Sequence, residues 1–249
     1  MVDVHVLRVF TDARQRFGNP LGVVLNAASW PPTARQRLAT RLGYSETVFV
    51  DDATTASLQL FTPASELPFA GHPLVGVSAL LADVTGRQPD ALLPLLLHEP
   101  VPTRAEDGTT WIRGSVADAP PWDHERLADP AEVDALLPPP LTGGSTSARW
   151  RRTQCWAWLD HSAGVVRARV FAADYGVVED EACGSASLLL AARLGRPLTV
   201  RHGQGSVIQA RPVDRDQVEI GGRVVHDGLR RVDDRELHEY EKIHNGDER

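Results

Sequence analysis

Apolar residues recur along the chain in short runs rather than at a sustained helical period. The runs at 5–10, 22–25, 47–50 and 58–61 are rich in Val, Leu and Phe and are bounded by Gly, Pro, Asn or Asp, which predicts short strands. Between them, 33–42 reads as a helix. Pro31 and Pro32 precede it, Thr33 is a candidate cap, Leu38 and Leu42 share one face, and Gly43 stops it.

Two further segments are apolar all round. Residues 73–82 and 185–194 mix Leu, Val and Ala with Gly and Ser; Pro73 opens the first and Gly195 closes the second. A helix without a polar face must be buried on every side. The second helix also sits among strand-like runs, at 153–159, 165–171, 198–201, 207–211 and 218–220. One unit therefore occurs twice, a sheet curled around a buried helix. Pro-rich stretches at 117–122 and 138–146 mark linkers, and 130–137 reads as a surface helix. The expected division is an N-terminal domain over 1–118, a C-terminal domain over 119–232 and a polar tail over 233–249. Each buried helix follows a glycine, Gly71 or Gly184. Glycine lets the main chain approach a ligand, and the free N–H groups of a helix start attract anions. Gly71, Gly184 and Ser185 thus become candidate contacts for a carboxylate in a cleft between the units.

Composition narrows the chemistry mainly by exclusion. The 249 residues are 42% hydrophobic and 24% charged, close to the globular norm, with a net charge of −7 and no basic run to hold nucleic acid. The longest nearly apolar stretch, 91–97, is too short to span a bilayer, and the first ten residues lack the apolar core of a signal peptide, so a cytoplasmic protein with no membrane partner is expected. Cys155 and Cys183 are too few for a disulfide framework, and the nine histidines show no metal-binding spacing. Lys242, in the tail, is the sole lysine, which argues against Schiff-base chemistry. Dinucleotide, phosphate-loop and esterase-elbow motifs are missing as well. The expectation is a protein with no metal whose cleft binds a small-molecule carboxylate.

Five motifs in order carry a resemblance: Phe10-Thr11 with Phe17-Gly18-Asn19-Pro20-Leu21-Gly22-Val23-Val24; Ser45-Glu46-Thr47-Val48-Phe49-Val50; Phe61-Thr62-Pro63; Glu66-Leu67-Pro68-Phe69-Ala70-Gly71-His72-Pro73; and Glu179-Asp180-Glu181-Ala182-Cys183-Gly184-Ser185-Ala186. Over residues 5–230 the chain resembles the PhzF family of phenazine-biosynthesis-like proteins, relatives of diaminopimelate epimerase. The resemblance implies an α+β, diaminopimelate epimerase-like fold of two similar domains, each a barrel-like sheet around a central helix. It also implies an active site between them, a homodimer, and cofactor-independent proton transfer that isomerises a small cyclic or unsaturated amino or carboxylic acid in a specialised pathway.

By the same resemblance Glu46 is the general base and acid, His72 hydrogen-bonds the substrate, and Asp180 orients it or its amino group. Asn19 and Ser45 add polar contacts. Two positions depart from the pattern. Cys183 replaces the usual threonine and Glu181 the usual proline. A thiol at a helix N-terminus is expected to have a lowered pKa, which opens an amino-acid racemase or epimerase using Cys183 as an alternative. However, aligning the two glycines puts Ala70 where an opposing thiol would stand. A non-catalytic small-acid-binding protein is the third reading.

Overall fold

The computed structural model describes residues 1–97, 99–138 and 147–233. The elements run β1 (Val2–Thr11), β2 (Asn19–Val24), α1 (Pro32–Leu42), β3 (Glu46–Asp52), β4 (Ser57–Phe61), β5 (Glu66–Leu67), α2 (Gly71–Thr85), β6 (Ala91–Pro94), β7 (Val101–Glu106) and β8 (Thr109–Ser115). They continue β9 (Asp123–Arg126), α3 (Pro130–Asp134), α4 (Ala148–Arg151), β10 (Thr153–Asp160), β11 (Val165–Ala172), β12 (Val177–Asp180), α5 (Gly184–Leu194), β13 (Leu198–His202), β14 (Ser206–Pro212) and β15 (Gln217–Val232).

Hydrogen bonding links β1, β2, β3, β4, β6, β7, β8 and β15 in that order, and β15 returns to β1, so the sheet closes on itself. From β15 the sheet continues through β14, β13, β11, β10 and β9 as a second curl. α2 fills the first curl, with Leu74, Val75, Val77, Leu80 and Leu81 all buried. Its middle lies close on β1 and β2: a Cβ at Gly76 would stand 2.6 Å from the Leu21 side chain. α5 fills the second, burying Leu188, Leu190 and Ala191 in the same core as Val166, Val200 and Ile208. Each such buried Leu or Val contributes ~1.5–3 kcal/mol relative to exposure. The fold is the diaminopimelate epimerase-like one expected.

Several boundaries differ from the sequence reading. α1 begins at Pro32 with Pro31 as its extended cap, and no side chain, Thr33 included, caps it. α2 begins at Gly71 rather than 73, so His72 lies within its first turn. The surface helix stops at Asp134, short of 137, because the Arg169 guanidinium draws off the carbonyls of Val133, Asp134 and Leu136. β15 extends far beyond 218–220. Its polar second half pairs with β1 from Arg223 to Val232, a contact that gives strand structure without an apolar run. Residues 139–146 of the second linker and 234–249 of the tail lie outside the described residues. Among the described residues, no helix is long and apolar enough to cross a membrane.

Candidate active site

The two buried helices meet head to head. A Cβ added to Gly71 would lie 2.9 Å from the Cα of Gly184, and one on Gly184 would lie 2.9 Å from the Cα of Gly71. Only glycine allows that approach. Ala70 and Cys183 occupy equivalent extended cap positions, and neither helix start has a side-chain hydrogen bond capping it. Two positive helix ends, each worth roughly half an elementary charge, therefore converge without their own anionic cap.

Around this junction the structure gathers all nine residues singled out in the sequence. Asn19, at the start of β2, is the hub. Its Nδ2 donates to Asp180 Oδ1 at 2.5 Å and to the Ala182 carbonyl at 3.3 Å, and lies 3.3 Å from His72 Nδ1. Its Oδ1 accepts from the Ser45 hydroxyl. Glu46 opens β3, where pairing with Leu21 of β2 fixes it beside Asn19's strand. Its Oε2 stands 3.3 Å from His72 Nδ1 and has no hydrogen-bond donor of its own. Asp180 ends β12, and Cys183 Sγ lies 3.5 Å from the Ser185 hydroxyl.

Burial governs the protonation of these groups. It pushes the Glu46 carboxyl up to about 8, helped by the nearby Asp180 charge and opposed by a hydrogen bond from Ser45. Asp180 is raised by burial too, against donors from Cys183, the Ala182 N–H and Asn19. His72 falls to about 3 because its charged form is desolvated, with only the Pro20 backbone opposing. At neutral pH burial thus favours a protonated Glu46 beside a neutral His72. The expected lowering of the Cys183 thiol does not occur. Burial, with Asp180 and Glu46 adding negative charge, raises it well above its ordinary value and outweighs the helix end. Cys155 is buried on β10 beside Glu125, away from the cleft, and pushed up to about 12.

The cleft lined by Ser45, Glu46, Asp180, Cys183 and Ser185 together with Leu67, Pro120, Trp122, Ala172, Tyr175 and Val177 encloses about 20 Å³, room for one water. Among the described residues, no Lys or Arg lines it. Among the described residues, no group of three or more His, Cys, Asp or Glu could hold a metal ion. A larger cavity, about 720 Å³, lies around Arg167, Arg169, Arg201 and the 203–205 turn. Arg167 and Arg169 there are occupied by carbonyls and Glu179, so it offers little free charge.

Sequence reasoning missed Trp122 and Tyr175, whose aromatic character alone does not distinguish a pocket wall from a core. It also missed His202. This buried, neutral imidazole accepts from the Cys183 N–H and donates from Nδ1 to the Glu181 carbonyl, holding the turn that carries Asp180. Glu181 takes the Gln204 N–H and the Ser206 hydroxyl, and Ser206 in turn accepts from the Gly18 N–H. The residue that departs from the family pattern thus ties its loop to the neighbouring hairpin.

Two curls of one sheet, each around a buried helix, with Glu46 and Asp180 lining the cleft beside the helix starts, give the architecture shared with epimerase-like folds. Residues 7–110 match the family model described as phenazine biosynthesis-like protein. A trans-2,3-dihydro-3-hydroxyanthranilate isomerase of Pseudomonas aeruginosa is 29% identical over 220 residues, spanning 75% of this chain and 78% of that protein. An uncharacterized isomerase of Mesorhizobium japonicum is 36% identical over 52% of this chain and 44% of its own length. Among solved structures, a PhzF-family phenazine biosynthesis protein of Bacillus anthracis superposes with a TM-score of 0.74 at 20% identity, covering 93% of this chain and 98% of that one. The chain is thus similar to the PhzF family over residues 7–110 and to named isomerases over three quarters of its length, and it is an isomerase.

Proposed function

We propose that the protein is a cofactor-independent isomerase that moves a double bond in a small cyclic or unsaturated amino or carboxylic acid, with Glu46 carrying the proton. The observation behind this reading is a buried carboxyl, raised to about 8, set 3.3 Å from a neutral histidine at the junction of two helix starts. The substrate carboxylate sits against the N–H groups of Gly71, Gly184 and Ser185, as the uncapped helix ends favour. Glu46, as carboxylate, removes a carbon-bound proton. The electron pair left behind delocalises into the conjugated acid, and the helix ends stabilise the charge that develops there. Glu46, now protonated, returns the proton to a different carbon, so no net proton is consumed. His72 and Asp180 orient the substrate, Asp180 through an amino group if one is present, and Asn19 and Ser45 fix their positions. The family resemblance extends the reading to a homodimer working in the cytoplasm.

Against the racemase alternative stand the raised Cys183 thiol and the methyl group of Ala70 at the equivalent cap. The test is proton NMR in heavy water. Its panel includes dihydro-hydroxyanthranilate, the acid named for the Pseudomonas relatives, a pyrroline carboxylate and common amino acids. The expected result is deuterium at a new carbon with migration of a double bond, lowered about 10²- to 10⁴-fold by Glu46→Gln and retained in Cys183→Ala. Exchange at one α-carbon with inversion, lost in Cys183→Ala, would instead establish the racemase. Binding without exchange on any acid would leave the non-catalytic reading.

A further inference from the structure

We propose that Trp122 is a positioning and specificity-determining residue of this site, orienting the Ser185 hydroxyl by its indole N–H and forming with Tyr175 the wall against which a flat ring lies. The inference rests on the site reading above, and it concerns the aromatic part of the cleft's lining.

The indole Nε1 of Trp122 is 3.0 Å from Ser185 Oγ. Indole nitrogen only donates, whereas a hydroxyl has one proton to give and two lone pairs to receive. Ser185 must therefore accept from Trp122, and its own proton has to point elsewhere. Its other neighbour is Cys183 Sγ at 3.5 Å, a weak acceptor. The proton is thus held at the mouth of the α5 helix start, free to leave the sulfur for a better acceptor such as a carboxylate oxygen. Without the indole, the hydroxyl would be free to turn away from the cleft.

The ring has a second role. Trp122 and Tyr175 lie with centroids 5.4 Å apart at 47° and pack with Val177 against Val170, Ala172, Cys183 and Ala186. Both aromatic residues line the same cleft as Glu46 and Asp180. Trp122 is half-buried and directly follows Pro120-Pro121, which stiffens its backbone. A rigid aromatic face across a slot this narrow favours a thin, planar substrate and excludes a bulkier one.

The test uses anthranilate, a flat ring acid with no carbon-bound proton to move, so binding is read without turnover and independently of Glu46. Dissociation constants are measured by calorimetry for the wild type, Trp122→Phe, Ser185→Ala and the double variant. Either single change is expected to weaken binding about tenfold or more, and the double no further than Ser185→Ala alone, because Trp122 acts through Ser185. Ser185→Thr, which keeps the hydroxyl, is expected to retain most of the affinity. Trp122→Ala is expected to admit 3-amino-2-naphthoate, which the wild type refuses. Losses that multiply in the double variant, an unchanged Trp122→Phe, or no anthranilate binding by the wild type would each overturn the proposal. Should Trp122→Phe fold poorly, the Ser185→Ala and Ser185→Thr pair decides: equal loss in both shows that the hydroxyl is not what the indole orients. Failure of the Glu46 reading would show separately, as Glu46→Gln exchanging protons like the wild type.

Discussion

A carboxyl held at a pKa of about 8 is protonated across most of the range in which proteins are handled, and this has a measurable cost. Glu46 in the unfolded chain releases its proton near its ordinary 4.5, whereas in the folded chain it keeps it to about 8. Between those values the folded state binds more protons, so stability is full below about 4.5 and falls as pH rises to about 8. Glu46→Gln, neutral at every pH, is expected to flatten that decline and to be more stable than the wild type at alkaline pH; thermal melts from pH 5 to 9 check it. His72 and His202 act in the opposite direction. Both are lowered to about 3, so their neutral burial stabilises the fold above the ordinary histidine value of 6.5 and is lost as pH falls towards 3. Activity has its own sign. Glu46 must be ionised to take a proton, so kcat/KM is expected to rise with pH through a midpoint near 8 and level off above it, with no such rise left in Glu46→Gln.

At the scale of elements, the head-to-head contact of α2 and α5 makes the least tolerant demand on sequence. Gly184→Ala would place a methyl group 2.9 Å from Gly71 Cα and 3.0 Å from the His72 nitrogen. Because these are backbone atoms, the helix starts must separate. A loss of about 1–3 kcal/mol is expected by urea denaturation, with a fall in activity as the two helix ends lose register. The helices were legible in the sequence because an all-apolar segment between glycines has few other fates. So was the list of candidate residues, since motif order survives when overall identity is low. What stayed hidden depended on partners distant in sequence. The thiol of Cys183 looked activated from its helix position, but burial under the fold raises it, with Asp180 and, from distant β3, Glu46 adding to the shift. The function of Trp122 depends on a hydroxyl 63 residues away.

For the whole molecule the decisive strand is β15. Its first residues pair with β8 and β14, and its later ones close the first curl on β1. The two curls thus share a strand as well as a cleft, which the pattern of apolar runs could not convey because much of β15 is polar and exposed. One consequence is cooperativity. A single unfolding transition is expected, with far-ultraviolet circular dichroism and tryptophan fluorescence coinciding; two separated transitions would show that the halves fold apart.

The positive pole at this cleft is made of main chain, since among the described residues no Lys or Arg lines it. Its charge is therefore not encoded in any one codon and cannot be reversed or erased by exchanging a side chain, only displaced by crowding the glycines. The aromatic wall, built from replaceable side chains, has no such protection. A lineage could then change what shape of acid it accepts, one substitution at a time, while its hold on an acid endures.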